Sequence, residues 1–166
     1  MSLLQVRHLP DPILKTPTQR VERLDARVQR LIKDMVETMR RHPRCVGLAA
    51  PQVGGSLRIA VMDASVHPKA GQNHGLLILV NPELDEAEDE SVGREGCLSV
   101  PDFTGNVRRA MRLRLRSLDQ HGVRREWRLE GFEAVVAQHE VDHLDGKLFL
   151  DRVASVADVF RRKTYL

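Results

Sequence analysis

The sequence contains few aromatic residues, few cysteines and no long hydrophobic run, and each shortage excludes a class of protein. One Trp, one Tyr and four Phe leave the core to aliphatic side chains. Two cysteines, Cys45 and Cys97, are too few for a disulfide framework, so a reducing compartment is expected. No stretch approaches the length of a membrane span, and the N-terminus lacks the apolar run of a signal peptide. We therefore expect a cytoplasmic protein with no membrane partner.

The chain also lacks a strong net charge. Its formal net charge is +3, although arginine is abundant and outnumbers lysine. This balance differs from the concentrated basic patch of a dedicated nucleic-acid binder, so no specific DNA binding is expected. Apolar residues make up 42% and charged residues 30% of the 166 positions, which is ordinary for a globular protein. The length predicts a single domain over residues 1–166.

Hydrophobic periodicity predicts both helices and strands. Apolar residues at helical spacing predict a helix over 26–40 with Asp25 as its N-cap, and a second helix is expected to begin at Gly131 and end at Asp145-Gly146. A short last helix is predicted within 153–166. Strands joined by turns are predicted at four places: 57–63, 76–80, 112–118 and 123–129, with a hairpin turn at 119–122.

Two charged stretches have simple readings. Asn81-Pro82 is expected to end the strand at 76–80, and the acidic run at 85–90 that follows is expected to be a solvated turn or edge. The arginines that alternate with leucine in 112–118 predict a strand with one face in the core and one face exposed to solvent. A contact between this arginine row and an acidic partner is the alternative.

The most informative stretch is Gln138-His139-Glu140-Val141-Asp142-His143. On a helix, His139 and His143 share one face with a rise of about 6 Å between them, so both can bind one metal ion. Glu140 can then act as a general base, which completes the H-E-x-x-H pattern. The alternative is a solvated helix end with two ordinary histidines. However, the apolar run at 132–137 favours a buried helix, in which such a charged cluster needs a partner such as a metal ion.

Two further stretches are unusual. Residues 45–55 consist mainly of small residues and turn formers around Gln52, which predicts either a plain connector or a loop that brings an amide close to a ligand. Residues 94–101 contain Cys97 beside a glycine. A lone cysteine in this setting is most often a small buried residue. Near an H-E-x-x-H pattern it is also a candidate third ligand, because thiolate binds zinc and iron strongly.

Taken together, the segments 47–52 (GLAAPQ), 95–99 (EGCLS) and 138–144 (QHEVDHL) resemble the three motifs of the peptide deformylases in order and spacing. The resemblance covers most of the chain, from the proline-rich N-terminal segment to about Arg152. It implies an α+β fold in which antiparallel β-sheets pack around a central helix carrying the H-E-x-x-H motif. It also implies a hydrolase that removes the formyl group from the N-terminal formyl-methionine of new polypeptides and releases formate.

The resemblance implies a catalytic role for particular residues. Cys97, His139 and His143 would hold one divalent metal ion and leave an open position for water. Glu140 would be the general base and then the general acid. The side chain of Gln52 and the backbone N–H of Leu98 would form the oxyanion hole. The native metal would be Fe(II), with Zn, Ni or Co able to replace it.

The resemblance also implies residues around this centre. Substrate would contact four of them: Val46, Gly47, Phe132 and Val136. Glu95 and Arg109 would support the ligands from a second layer. The partners would be N-formyl-methionyl peptides, with the ribosome as a further candidate.

Three positions depart from the family pattern. Cys45 stands where the first motif usually has glycine, and Arg94 where many members have an acidic residue. Thr104 stands where some bacterial members carry an arginine near the bound peptide. The competing hypotheses are a metallopeptidase, a catalytically inactive homologue that binds N-terminal peptides or ribosomes, and a structural zinc module. The last would need four protein ligands, and the sequence offers three good ones.

Overall fold

The computed structural model describes residues 2–163, and an antiparallel sheet is its main element. Strands β1 to β5 are hydrogen-bonded in chain order, and β6 pairs with β4. Among the described residues the strands are β1 (Gly47–Ala49), β2 (Ile59–Asp63), β3 (Leu76–Cys97), β4 (Val100–Leu118), β5 (Arg124–Glu130) and β6 (Val159–Arg161). The prediction of antiparallel strands around a motif helix is confirmed, although the strands form one continuous sheet.

Two α-helices flank this sheet: α1 (Ala26–Arg41) and α2 (Gly131–Leu144). The predicted N-cap of α1 is confirmed, since the Asp25 carboxylate accepts the N–H of Val28 at 2.9 Å. Gly146 adopts φ 74° just after α2, as expected for a helix stop. Neither helix in the described part of the chain combines the length and apolarity that a bilayer crossing requires.

The two helices cover opposite faces of the β1–β2 region. Ala60 and Met62 pack in the cluster that contains α2, whereas Ile59 and Val61 pack in the cluster that contains α1. Alternate residues of a strand point to opposite faces, so β2 is buried on both sides. Nine residues of α2 are buried, which confirms that the motif helix is an interior helix.

The predicted strand end at Asn81-Pro82 is wrong. β3 continues through this dipeptide to Cys97, and a register shift between Val80 and Glu83 accommodates the proline, which has no N–H to donate. Asn81 adopts φ 53°, and its side chain bonds to both the N–H and the carbonyl of Val21. The bulge therefore pins the N-terminal segment to the sheet.

The acidic run at 85–90 is an exposed sheet edge, the second of the two predicted forms, rather than a turn. It lies within β3 and pairs with the arginine row of β4, so that Asp85 lies opposite Arg114 and Glu88 opposite Arg112. The acidic partner of the arginine row is thus in the same chain. Cross-strand ion pairs of this kind stabilise an exposed ladder modestly.

The short last helix predicted within 153–166 is also wrong for the part that the structure describes. Residues Val156–Asp158 form a single 3₁₀ turn, and β6 then pairs with β4 opposite Phe103–Gly105. The aromatic ring of Phe160 lies under the guanidinium of Arg94, 3.6 Å from it, which favours a docked strand over a solvated helix. Residues 164–166 of that prediction lie outside the described range.

Candidate active site

Three soft or borderline donor atoms meet at the end of α2. The sulfur of Cys97, one nitrogen of His139 and one of His143 all lie within 4.8 Å of one another. The Nε2 atoms of the two histidines are 3.2 Å apart, and Nε2 of His143 is 3.3 Å from the sulfur. The structure therefore brings together the three residues that the sequence predicts as ligands.

Different elements supply these donors. The histidines lie one turn apart on α2, as their spacing requires. Cys97 is the last residue of β3, and Leu98 and Ser99 form the tight turn that leads into β4. The backbone carbonyl of Ser99 accepts the N–H of Leu9 at 3.0 Å, so the N-terminal segment holds this turn in place.

A buried charged network fixes the orientation of His139. Its Nδ1 lies 2.8 Å from a carboxylate oxygen of Glu95, which leaves Nε2 to face Cys97 and His143. Arg109 donates two hydrogen bonds to Glu95, at 2.8 and 3.0 Å, and a third to Asp142 at 2.6 Å. Burial alone would raise the pKa of Glu95, but its bonds with His139 and Arg109 lower that pKa to about 2. The predicted second-layer pair is thus present, and its carboxylate is ionised.

The two histidines of the donor cluster have opposite pKa shifts. Burial alone would lower the pKa of His139, yet its contacts with Cys97 and Glu95 raise that pKa well above the usual value. His143 is fully buried, and burial together with the charges of His139 and Arg109 lowers its pKa well below the usual value. A neutral imidazole beside a thiol and a carboxylate-backed imidazole is a donor set suited to a divalent cation.

Glu140 is buried beside the donors without being one of them. It is 3% exposed, and its Oε2 and the Nδ1 of His143 are the only buried side-chain polar atoms within residues 2–163 that have no hydrogen-bond partner. Gly47 packs so tightly against this carboxylate that a Cβ there would overlap it. Burial raises the pKa of Glu140 to about 7. The group can therefore both accept and donate a proton near neutral pH.

Gln52 reaches the same place from the 3₁₀ turn Ala50–Val53. It is 2% exposed, and its Oε1 accepts the N–H of Ala49 at 2.9 Å. Its amide nitrogen lies 3.3 Å from the sulfur of Cys97 and 3.2 Å from the hydroxyl of Ser99. The segment 47–52 is therefore not a plain connector, because it points the amide N–H of Gln52 at Cys97, one of the three clustered residues.

A cavity of about 450 Å³ opens beside these groups. All of the predicted site residues except the fully buried His143 line it. Val46, Phe132 and Val136 contribute to its apolar lining, and the ring of Phe132 stacks against His67 at a centroid distance of 4.6 Å. The three residues predicted to line a methionine pocket thus line a cavity, and the binding of methionine there stays a prediction.

The departures from the family pattern fall around this cavity. Cys45 lies on its wall, and its thiol donates to the carbonyl of Gly47 at 3.1 Å. Burial and the charge of Glu140 raise the pKa of this thiol to about 12, so it stays neutral. Thr104 receives a long hydrogen bond from Arg94, at 3.4 Å. The guanidinium of Arg94 therefore lies beside Thr104.

Sequence reasoning missed several residues of this site. Asp142 was not assigned a role, although a buried acid on an apolar helix was a visible signal, and it binds both Arg109 and Arg152. Ser99 bonds to Gln52, and Met111 lines the cavity from β4. Ser99 lies in the quoted motif 95–99 without having been given a role, whereas no local pattern indicates Met111, because its position depends on the register of the long β3–β4 hairpin.

Comparisons with known proteins agree with this geometry. A family model described as polypeptide deformylase matches residues 3–158. The peptide deformylase of Dictyoglomus thermophilum is 47% identical over 148 residues, which cover 89% of this chain and 91% of that protein. The crystal structure of the peptide deformylase from Thermotoga maritima matches with a TM-score of 0.84 at 36% identity, covering 93% of this chain and 100% of that chain. That of Ehrlichia chaffeensis in complex with actinonin matches with a TM-score of 0.87 at 33% identity, covering 95% and 92%.

The fold, the donor cluster and these matches define a metal-dependent hydrolase that acts on a linear amide. More particularly, the chain belongs to the peptide deformylase family. Its activity is the removal of the N-formyl group from newly made polypeptides.

Proposed function

We propose that Cys97, His139 and His143 hold the divalent metal ion of this deformylase, and that Glu140 moves the protons of the reaction. One observation supports this assignment above the others: a thiol and two imidazoles lie within 4.8 Å of one another beside a buried carboxylate with an unpartnered oxygen. Two borderline nitrogen donors and one soft sulfur donor suit Fe(II), Zn, Ni or Co. When bound, such an ion supplies Lewis acidity, which polarises a carbonyl oxygen and lowers the pKa of water to about 7.

The proposed role of Glu140 follows from its burial. Amide hydrolysis requires a group that accepts a proton from the attacking water and then gives one to the leaving amine. A carboxyl group with a pKa of about 7 exchanges protons readily in both directions at neutral pH. Gly47 leaves the space for this carboxylate.

Gln52 and Leu98 are the proposed donors to the formyl oxygen. Negative charge develops on that oxygen in the transition state, and fixed donors in a site shielded from water stabilise it. Gln52 is held rigidly through its Oε1 by Ala49, so its amide needs no reorganisation during the reaction. The backbone N–H of Leu98, in the tight turn after Cys97, is the second donor.

The methionine side chain of the substrate would occupy the apolar part of the cavity. Val46, Phe132 and Val136 offer a lining without charge, and Gly47 lines the cavity beside them as a further proposed substrate contact. A thioether is long, flexible and apolar, and it fits such a lining better than a short or charged side chain. Equal rates on formyl-Met and formyl-Asp peptides would contradict this part of the proposal.

Glu95 and Arg109 are proposed to position His139 rather than to touch substrate. The Glu95 carboxylate fixes the tautomer that leaves Nε2 of His139 free, and Arg109 neutralises that carboxylate. Outer partners of this kind typically change metal affinity or activity by about 10- to 100-fold.

The proposed catalytic unit is one domain over residues 1–166.

The experiment that tests the assignment is metal analysis and an activity assay on protein purified without air. We expect stoichiometric metal, with Fe(II) as the native ion, and formate release from a formyl-Met peptide. The same peptide without its formyl group is the control, and release of a free amino acid from it would instead support a metallopeptidase. Metal-loaded protein that releases no formate would contradict the proposed mechanism.

We also propose that the enzyme works in the cytoplasm and contacts the ribosome, because its substrates are newly made polypeptides. Co-sedimentation with translating ribosomes at physiological salt tests this contact. Ribosomes that carry no formylated chain are the control, because binding to both would show a contact that does not depend on the substrate.

A further inference from the structure

Four exposed basic residues surround the mouth of the cavity. Arg44 and Lys69 lie on the wall next to Phe132, and Arg94 and Arg162 lie on the wall next to β3 and β6. Within residues 2–163, no ion pair involves any of them, although most arginines of the β3–β4 surface are paired with carboxylates. The charge at the mouth is therefore not neutralised by the fold.

Acidic residues are absent from this rim. The only carboxylates among the described residues that line the cavity belong to Glu95 and Glu140, and both are buried. Glu95 is already paired with Arg109 and His139. A peptide that passes through the mouth thus meets uncompensated positive charge on both sides.

The first wall is tied to the apolar pocket. The N–H of Lys69 donates to Nδ1 of His67 at 3.0 Å, and the ring of His67 stacks on Phe132. Burial, and then the charges of Lys69 and Arg44, lower the pKa of His67. This histidine therefore stays neutral, and its contacts place Lys69 at the edge of the pocket.

The second wall holds its cations through neutral groups. The guanidinium of Arg94 lies 3.6 Å from the centroid of the Phe160 ring and donates to Asn106 at 3.0 Å. A guanidinium nitrogen of Arg162 packs against Gly96, 2.5 Å from where a Cβ would be. Both charges are thus positioned over the cavity without being cancelled.

We propose that this cationic mouth makes the enzyme prefer formylated peptides that carry an acidic side chain shortly after the formyl-methionine. The inference rests on the proposed function, in which formyl-methionine occupies the cavity and the following residues leave through the mouth. A cleft lined by charges of one sign concentrates oppositely charged substrate. Because the four side chains are exposed, the preference is moderate and salt-sensitive.

The test compares two C-terminally amidated peptides, formyl-Met-Ala-Asp-Ser and its asparagine counterpart, which differ in charge but hardly in shape. We expect kcat/KM to be about 3- to 10-fold higher for the aspartate peptide at about 0.01 M salt, where the Debye length is about 30 Å. The ratio should approach one at about 1 M salt, where the Debye length is about 3 Å. A kcat/KM ratio of one at low salt overturns the inference. The basic residues of the mouth would then serve to bind another anion, such as RNA.

Charge-removing variants identify the residues responsible. Arg44→Gln with Lys69→Gln should bring the low-salt ratio towards one, and Arg162→Gln tests the opposite wall independently. The matched control is Arg30→Gln with Lys33→Gln, which removes the same charges from the exposed face of α1 and should keep the wild-type ratio. An equal drop in the control would overturn the assignment to the mouth.

The asparagine peptide separates this inference from the proposed function. Its rate measures deformylation itself, without the charge effect. No formate from either peptide contradicts the proposed function. Full activity on the asparagine peptide with a ratio of one contradicts only the inference.

Discussion

The polar side chains of α2 divide into two groups that are interleaved along the sequence. The first group, His139, Glu140 and His143, surrounds the donor cluster, and within residues 2–163 the Oε2 of Glu140 and the Nδ1 of His143 have no hydrogen-bond partner. In the second group, Glu133, Gln138 and Asp142 have their polar atoms bonded by the surrounding structure. Both groups lie on the same helix, so burial alone does not distinguish them.

The second group shows what a purely structural polar residue looks like here. Asp142 binds Arg109 at 2.6 Å and Arg152 at 2.7 Å. Gln138 exchanges hydrogen bonds with the backbone of Ala110, and Glu133 accepts the N–H of His74 at 2.8 Å. Buried polar groups normally find partners in this way. The unpartnered Oε2 of Glu140, which lies beside the three donor atoms, therefore marks a place where a group from outside the chain would supply the missing partner.

The largest effect that tests this comparison is on turnover. Glu140→Ala should lower the deformylation rate by about 10²- to 10⁴-fold, because the proton carrier is lost. Metal content should stay unchanged, since the three donors remain. Rate and metal content are to be measured on the same preparation.

Glu133→Ala is the matched control for Glu140→Ala, since it removes a buried carboxylate from the same helix. It should reduce the free energy of unfolding by about 1 to 3 kcal/mol and leave turnover close to wild type. If Glu140→Ala loses metal in parallel with activity, Glu140 belongs with the structural group and the comparison fails.

The next effect is on stability. Asp142→Ala should lower the free energy of unfolding of the metal-free protein by about 3 kcal/mol, as expected when one partner of a buried ion pair is removed. Arg109 keeps its bonds to Glu95 in this variant, and this limits the loss of stability. Denaturant unfolding measures it.

Asp145→Ala provides the comparison for Asp142→Ala. The carboxylate of Asp145 is 45% exposed and pairs with Arg58 at the surface. Its loss should change stability by less than about 1 kcal/mol. Equal effects of the two substitutions would show that the network around Arg109 contributes no special stability.

Gln52 lies between the two groups, because one end of its amide is bonded and the other faces the donor cluster. Gln52→Ala should lower kcat by about 10²-fold with little change in KM, since the amide acts on the transition state. Gln138→Ala removes a fully bonded amide and should affect stability instead. Unchanged kcat in Gln52→Ala would return Gln52 to the structural group.

The smallest expected effect concerns acid pH. Burial alone would raise the pKa of Asp119, but bonds from the N–H of Val123 and from Arg125 lower it below its usual 3.8. The stabilisation that ionised Asp119 gives to the folded protein is therefore complete above the usual pKa of 3.8. It is lost as the pH falls through the lower pKa that Asp119 has in the folded protein. Asp119→Asn should flatten the acid limb of a plot of Tm against pH, and an unchanged limb would contradict this.

The sequence predicted the three residues that the structure brings together in the donor cluster, because a helical pair of histidines and a motif cysteine are local patterns. It also found both helices, since their apolar periodicity and caps are local. It missed the full length of β3 and β4, because the bulge at Asn81-Pro82 is stabilised by Val21, 60 residues earlier. It missed Asp142 for a similar reason, since the partners of that carboxylate lie on β4 and after α2. Register and long-range pairing are tertiary properties that no short window contains.

The separation of the donors along the chain has a consequence for the order of assembly. Cys97 lies at the tip of the β3–β4 hairpin, and His143 follows it by 46 residues at the far end of α2. During synthesis the hairpin is complete before α2 exists, so no partial chain ending before that helix can form the centre. The donor cluster is therefore complete only when α2 packs against the hairpin, and in refolding of the whole chain activity should recover no earlier than the contacts between these two elements.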